Sequence, residues 1–207
     1  MQNIIVIVVG YLCGSIPFGL LLARAAGLGD IRKIGSGSIG ATNVLRTGNK
    51  KIAALTLLFD LLKGLLPVLF GQWLAGPIGA ALAGFAALAG HIFPIWLRFK
   101  GGKGVATCCG ILLAWSWPVA LVALTTWILV FALKRISSLS ALTAALVAVP
   151  AAYYLDHGEK TVGPSNFGLV LWLNILILAA IIWITHRANI GRLLKGEEPK
   201  SVFSKSV

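Results

Sequence analysis

Long apolar runs follow one another along almost the whole chain, separated by short basic, glycine-rich segments. That pattern constrains the fold more than any other feature. A helix needs about 20 consecutive apolar residues to cross the hydrocarbon of a bilayer. Seven runs match or approach that length: Ile4–Ala25, Ile52–Leu74, Ile78–Leu97, Val105–Trp117, Pro118–Leu133, Leu139–Leu155 and Phe167–Thr185. No stretch alternates apolar and polar residues in the way a membrane β-barrel requires. Only 12% of residues are charged, 58% are hydrophobic and mean hydropathy is +0.91, too little polar surface for a soluble domain. The first run has no basic lead and no cleavage site, so it is expected to stay in place as a span. Gly14, Ser15 and Pro17 predict close packing and a kink within it.

The fourth and fifth runs are short and could form one helix. Charge decides against fusion, because Lys and Arg collect in cytoplasmic loops. With the N-terminus outside and seven separate helices, sixteen of the 18 basic residues fall inside. The exceptions are Lys63, within a run, and Lys160, beside Asp156 and Glu159. Fusion would place Lys134, Arg135 and the basic tail outside. Trp115-Ser116-Trp117-Pro118 also reads as an interfacial hairpin with a proline break. The expected fold is therefore an all-α seven-transmembrane-helix bundle, N-terminus outside and C-terminus cytoplasmic. Cys13, Cys108 and Cys109 lie in apolar runs and suggest no disulfide framework.

The formal net charge is +12, large for so apolar a chain. It suits anionic head groups or phosphorylated substrates, and its concentration on one side argues against a nucleic-acid surface. Three inner segments carry the chemistry. Gly35-Ser36-Gly37-Ser38-Ile39-Gly40-Ala41-Thr42-Asn43 begins as a G-x-G-x-x-G pattern, but it follows a membrane helix rather than a strand, which removes the dinucleotide reading. Glycines still let successive N–H groups converge on an anion. Ser36, Ser38, Thr42 and Asn43 add short donors, and Arg46 offers a planar fork. A small-residue turn that only packs helices is the competing reading.

Phe99-Lys100-Gly101-Gly102-Lys103-Gly104 opens the next apolar run. It lacks the residues of a Walker loop, yet two lysines at a glycine-rich helix start suit a phosphate. A positive-inside anchor would look similar. In the third segment, His186, Asn189 and Arg192 recur at i, i+3 and i+6, on roughly one helix face. His186 is expected to titrate near neutrality, and a basic interfacial anchor helix is the alternative here. Asp60 and Lys63, three apart within a run, suggest a buried pair. His91 reads either as a satisfied core histidine or as a site residue. No metal-ligand cluster is visible.

Many cationic and N–H donors with few carboxylates suit anionic substrates and a developing oxyanion. At the membrane interface, an acyl substrate fits. The three segments together, Gly-Ser-Gly-x-x-Gly-Ala-Thr-Asn with Arg46, Lys-Gly-Gly-Lys-Gly-Val-Ala-Thr, and His-x-x-Asn-Ile-x-Arg-Leu, resemble the bacterial acyl-phosphate:glycerol-3-phosphate acyltransferases of the PlsY type. The resemblance runs from Tyr11 to about Glu198. It implies a single domain over residues 1–198, a tail over 199–207 that composition marks as disordered, and a bacterial cytoplasmic membrane location with the site facing inward.

It further implies acyl transfer from acyl phosphate to the 1-hydroxyl of sn-glycerol 3-phosphate, giving lysophosphatidate and phosphate, with no cofactor. Membrane lipids and a functional link to the acyl-phosphate-forming enzyme follow from it. By the resemblance, Ser36, Arg46, Lys103, His186 and Asn189 are the catalytic set. Gly37, Ser38, Gly40, Thr42, Asn43, Lys100, Gly101, Gly102, Gly104 and Ser138 are substrate-binding, and Glu197 is structural. Ser38 stands where the family usually has asparagine. The His-x-x-x-x-Asp motif of other glycerolipid acyltransferases is absent, since Trp96, Val162 and Gly191 lie five residues after the histidines. A transporter of an organic phosphate is the rival from another class, although the repeats it would want are not evident.

Overall fold

A computed structural model describes residues 1–157 and 169–200. The start of the seventh expected run, Lys160 and tail residues 201–207 lie outside the described residues. Among the described residues, the regular structure is helical throughout: α1 Gln2–Ser15, α2 Phe18–Ala25, α3 Ala41–Leu45, α4 Lys50–Ile92, α5 Val105–Trp115, α6 Trp117–Lys134, α7 Ser137–His157, α8 Leu169–Thr185 and α9 Arg187–Leu194.

The expected kink in the first run is a break between α1 and α2. Ile16 turns to extended backbone (φ −65°, ψ 117°), and Pro17, which has no N–H to continue the helix, precedes the new start at Phe18. The second and third expected runs are joined in α4, whose 43 residues would measure about 65 Å if straight, twice the hydrocarbon thickness. The chain instead folds back at Ala75 (φ −139°) and Gly76 (φ 64°), with Pro77 opening the returning arm. A Cβ on Gly71 would lie 2.4 Å from the Gly79 carbonyl, so the two arms touch at their tips.

α5 and α6 are separated by extended Ser116 (φ −157°, ψ 98°), as the Trp-Ser-Trp-Pro stretch suggested. The 11 residues of α5 give a rise of about 16 Å, roughly half a bilayer core, so this fourth run forms a shorter helix than the sequence suggested. By length and composition, four helical stretches among the described residues can cross a membrane, with both arms of α4 counted as one stretch, or five if α8 and α9, bent by 63°, together make one more.

Small residues hold the bundle together. Lipid supplies no hydrophobic drive between helices, so backbones must approach closely and pack. Gly10 and Gly14 of α1 meet Ala83 and Ala87 of the returning α4 arm, and Gly90 meets the Tyr11 carbonyl. Gly64 of the first arm faces Thr107 of α5, while Gly110 of α5 faces the Leu61 carbonyl. Trp115 is buried, lies edge-on to Phe85 with centroids 5.4 Å apart, and donates its indole N–H to the Ala80 carbonyl at 3.3 Å. Ile4, Val8, Leu58, Leu129 and Ile184 point outward, as suits a lipid solvent.

A Cβ at Gly14 would fall 2.0 Å from the Ala87 carbonyl oxygen, a backbone atom with little room to move. Gly14→Leu is therefore expected to cost about 1–3 kcal/mol, read as a lowered thermal midpoint in detergent. A midpoint equal to the parent's would show that α1 and α4 do not pack this way.

Candidate active site

The first loop is built around Asn43. This buried amide donates Nδ2 to the carbonyls of Ile31 (2.7 Å) and Ser38 (2.8 Å). Its Oδ1 accepts from Ser36 N–H at 3.3 Å and from Arg46 Nη1 at 3.4 Å. With both ends of the amide engaged, its work is to hold the loop's curve and aim Arg46. Gly35 and Gly37 adopt positive φ (55° and 68°), and the Arg46 side chain crosses Gly35 so closely that a Cβ there would lie 2.4 Å from Nη1. Ser38 Oγ accepts from Gly40 N–H at 3.4 Å at the start of α3. Thr42 Oγ1 lies 3.1 Å from Ser137 Oγ, which ties this loop to the first turn of α7.

The second loop is shaped by its glycines. Gly101 N–H donates to the Ile92 carbonyl (3.0 Å) and Gly102 N–H to the His91 carbonyl (3.1 Å). Gly104 precedes α5 at φ 84°. The Lys103 carbonyl accepts from Thr185 Oγ1 at 3.2 Å, fastening the loop to the end of α8. Burial lowers the Lys103 pKa; nearby Arg192 and Arg46 also lower it, while Glu198 raises it.

The third segment begins at His186, which is 2% exposed. Its Nδ1 lies 2.8 Å from the Ile182 carbonyl, an oxygen that can only accept. The proton therefore sits on Nδ1, and Nε2 carries the lone pair. Burial is the main cause that brings its pKa down to about 4, with Lys103 adding to the fall and the Ile182 carbonyl and Glu198 opposing it. The expected titration near neutrality is thus corrected: at pH 7 the ring is neutral.

The carboxylate of this region is Glu198, not Glu197. α9 ends in a turn in which Gly196 adopts φ 73° and Glu197 N–H bonds back to the Arg192 carbonyl at 2.8 Å. That turn leaves Glu197 exposed and returns Glu198 to the site. Glu198 accepts from Ser138 Oγ (2.6 Å), Asn189 Nδ2 and Arg192 Nε (2.6 Å). Burial alone would raise its pKa, but these three donors outweigh it and hold the carboxyl below its ordinary value. A short acidic pair after a terminal glycine does not tell which member turns inward.

The three segments and the start of α7 open on one cavity of about 1130 Å³. Of the residues singled out from sequence, Ser36, Ser38, Gly40, Thr42, Asn43, Arg46, Lys103, Gly104, Ser138, His186 and Asn189 line it. Gly37, Lys100, Gly101 and Gly102 do not; Lys100 is exposed, and the glycines shape the loops from behind. Ser137, Arg192 and Glu198 line it too. Asp60 and His91, also singled out from the sequence, and Lys50 reach the wall as well, and the remainder is largely apolar: Leu57 and Leu61 of α4, Leu112 of α5, Trp127 and Phe131 of α6, alanines of α7, and Ile175 and Leu178 of α8. No sequence motif pointed to the apolar part of this wall, because those residues are ordinary in a membrane helix.

The cavity is amphiphilic, with cations and hydroxyls at one end and a greasy chamber beyond. Among the described residues, neither Arg46 nor Lys103 is paired with a carboxylate, and no group of three or more His, Cys, Asp or Glu could hold a metal ion. Such a site is suited to anions that carry apolar tails.

A family model described as glycerol-3-phosphate acyltransferase matches residues 4–196. A glycerol-3-phosphate acyltransferase of Caulobacter vibrioides is 54% identical over 198 residues, spanning 95% of this chain and 86% of that protein. One of Mesorhizobium japonicum is 53% identical over 197 residues, spanning 95% of each. The crystal structure of PlsY (YgiH), an integral membrane glycerol 3-phosphate acyltransferase, in its glycerol 3-phosphate form, superposes with a TM-score of 0.86 at 34% identity, covering 97% of this chain and 96% of that one. Its lysophosphatidic acid form gives 0.85 at 33% identity.

Proposed function

The chain belongs to the glycerol-3-phosphate acyltransferase family, PlsY type, and on that premise we propose that its acyl donor is an acyl phosphate. The observation that carries this reading is the meeting of Arg46, Lys103 and neutral His186 on a cavity whose remaining wall is largely apolar. Two uncommitted cations beside N–H and hydroxyl donors fit two phosphates better than one. The apolar chamber fits the donor's chain.

In this reading the first loop and Arg46 hold the acyl phosphate, with its chain among the apolar residues of α4–α8. Lys103 holds the phosphate of glycerol 3-phosphate, aided by Asn189 and the serines of α7. The acceptor's 1-hydroxyl oxygen attacks the acyl carbonyl, an ester C–O bond forms, and the bond to the phosphate oxygen breaks. Inorganic phosphate leaves with the electron pair. His186 Nε2 takes the hydroxyl proton and passes it to the departing phosphate. No acyl-enzyme is formed. Holding both substrates in one cradle supplies proximity, and Arg46 stabilises charge that grows on the leaving group.

The same reading makes residues 1–198 one domain of seven passes, with the basic loops and active site on the cytoplasmic face of the bacterial inner membrane. Every basic cavity residue then lies on the side where positive-inside topology places it.

The deciding experiment offers purified enzyme acyl phosphate, acyl-CoA or acyl carrier protein as donor and measures lysophosphatidate. Turnover with acyl phosphate alone is expected. Turnover that requires a thioester would overturn the donor assignment.

A further inference from the structure

Against the second loop lies a buried polar cluster that the reaction above does not use, although two of its members, Asp60 and His91, reach the cavity wall. Asp60 and Lys63 of the first α4 arm pair at 2.6 Å, each almost fully buried. Lys63 Nζ also donates to the Ile16 carbonyl at 2.9 Å, at the break between α1 and α2. His91, on the returning arm and 3% exposed, brings Nδ1 to 3.3 Å from Thr107 Oγ1 of α5 and 4.0 Å from Asp60 Oδ1. Ionisable groups are costly within a membrane protein, and their retention calls for a role.

The geometry gives that role to His91. The loop rests on it twice. Gly102 N–H donates to the His91 carbonyl, and the ring lies so close beneath Gly102 that a Cβ there would fall 2.2 Å from Nε2. The adjoining Lys103 is held from the other side through Thr185. The ring itself is held by Thr107 in the first turn of α5 and stands beside the Asp60–Lys63 pair, 4.0 Å from Asp60 Oδ1, and that pair reaches back to the α1–α2 break. Gly102 has to be glycine because the imidazole occupies the space a side chain would need.

We infer that His91 is a positioning residue for the glycerol 3-phosphate subsite: its ring is the floor on which the Gly101–Gly104 loop is set, and it thereby fixes where Lys103 meets the acceptor phosphate. This rests on the reading that Lys103 holds that phosphate. Loss of the floor acts on acceptor binding while leaving the donor's first loop, held by Asn43, untouched.

The test is a kinetic series on the full-length enzyme in detergent, with thermal midpoints alongside. His91→Gln places an amide near the position of Nε2 and keeps a polar floor. His91→Asn reaches only as far as Nδ1, so it keeps the Thr107 contact and removes the floor. His91→Asn is expected to raise KM for glycerol 3-phosphate roughly 10- to 100-fold, the range of one weakened hydrogen bond to a charged group, with kcat and KM for acyl phosphate within about threefold. His91→Gln is expected to recover most of that loss.

Gly102→Ala should raise the same KM by driving its methyl against the imidazole, and adding His91→Asn to it should produce no further increase, since without the ring there is nothing left for the methyl to displace. This pair carries the test even if other His91 variants fold poorly. Equal behaviour of the Gln and Asn variants with an unchanged acceptor KM would overturn the inference, as would fully additive effects of Gly102→Ala and His91→Asn. Lys103→Ala separates the two levels. An unchanged acceptor KM there removes the subsite assignment itself, whereas a raised one alongside an inert His91→Asn removes only His91.

Discussion

His186→Asn is expected to lower kcat by about 10²–10⁴-fold, the usual contribution of a positioned general base, while leaving the fold intact. Asparagine keeps a donor near Nδ1 for the Ile182 carbonyl but has nothing at the Nε2 position. In the proposed reaction His186 acts as the base through its tautomer: with the Nδ1 proton engaged at 2.8 Å, the lone pair is left on Nε2 of a residue that lines the cavity. A pKa of about 4 means that the free enzyme is ready to accept a proton at every pH above that value. It also makes the empty-site ring a weak base. Two bound phosphates would raise the value, since negative charge nearby favours imidazolium.

The acid limb of kcat/KM that belongs to His186 should therefore lie near pH 4, and the corresponding limb of kcat should lie higher. Both should vanish in the asparagine variant, leaving the ionisation of the substrates' own phosphates near pH 6. For stability the sign follows from the depressed value. The ring is neutral in both states above its ordinary 6.5; below that the unfolded chain takes up a proton that the folded one refuses, so stability is lost as pH falls from about 6.5 to about 4. If His186→Asn retains activity within about threefold of the parent, the base is a substrate phosphate and His186 has only a binding or packing role.

Arg46→Lys is expected to reduce kcat/KM for the acyl donor by about 10²–10³-fold, the loss seen when a preorganised charge stabiliser is removed. The exchange preserves charge. It removes the planar fork that grips two phosphate oxygens at once, and it removes the Nη1 contact that Asn43 uses to aim the side chain across Gly35. KM for glycerol 3-phosphate should stay within about threefold, because Lys103 stands on a different loop. Parent-like kinetics in Arg46→Lys would mean that charge alone is needed, and the forked contact would have to be abandoned.

The membrane bundle was legible because hydropathy is additive along a helix and needs no tertiary knowledge. The break at Pro17 and the turn at Trp115–Pro118 were legible because proline acts locally. The join at Ala75–Gly76 came out as two separate runs, since Ala-Gly-Pro interrupts apolar character without showing whether the helix ends or folds back. The three basic segments were visible in their glycines, hydroxyls and cationic residues, and the family followed from their order. Glu198 was missed by one position, as a C-terminal turn decides which of two adjacent glutamates faces inward.

By itself, then, the sequence determined the solvent this protein lives in, the three segments that carry charge chemistry and the family to which they belong. Those are written in composition and in short stretches of consecutive residues. Only the tertiary structure decided the protonation of His186, the function of Asn43 as a brace, the three donors that hold Glu198, the apolar chamber and the floor that His91 makes for Gly102. Each depends on burial and on distances between residues up to dozens of positions apart, which packing sets and local pattern does not record.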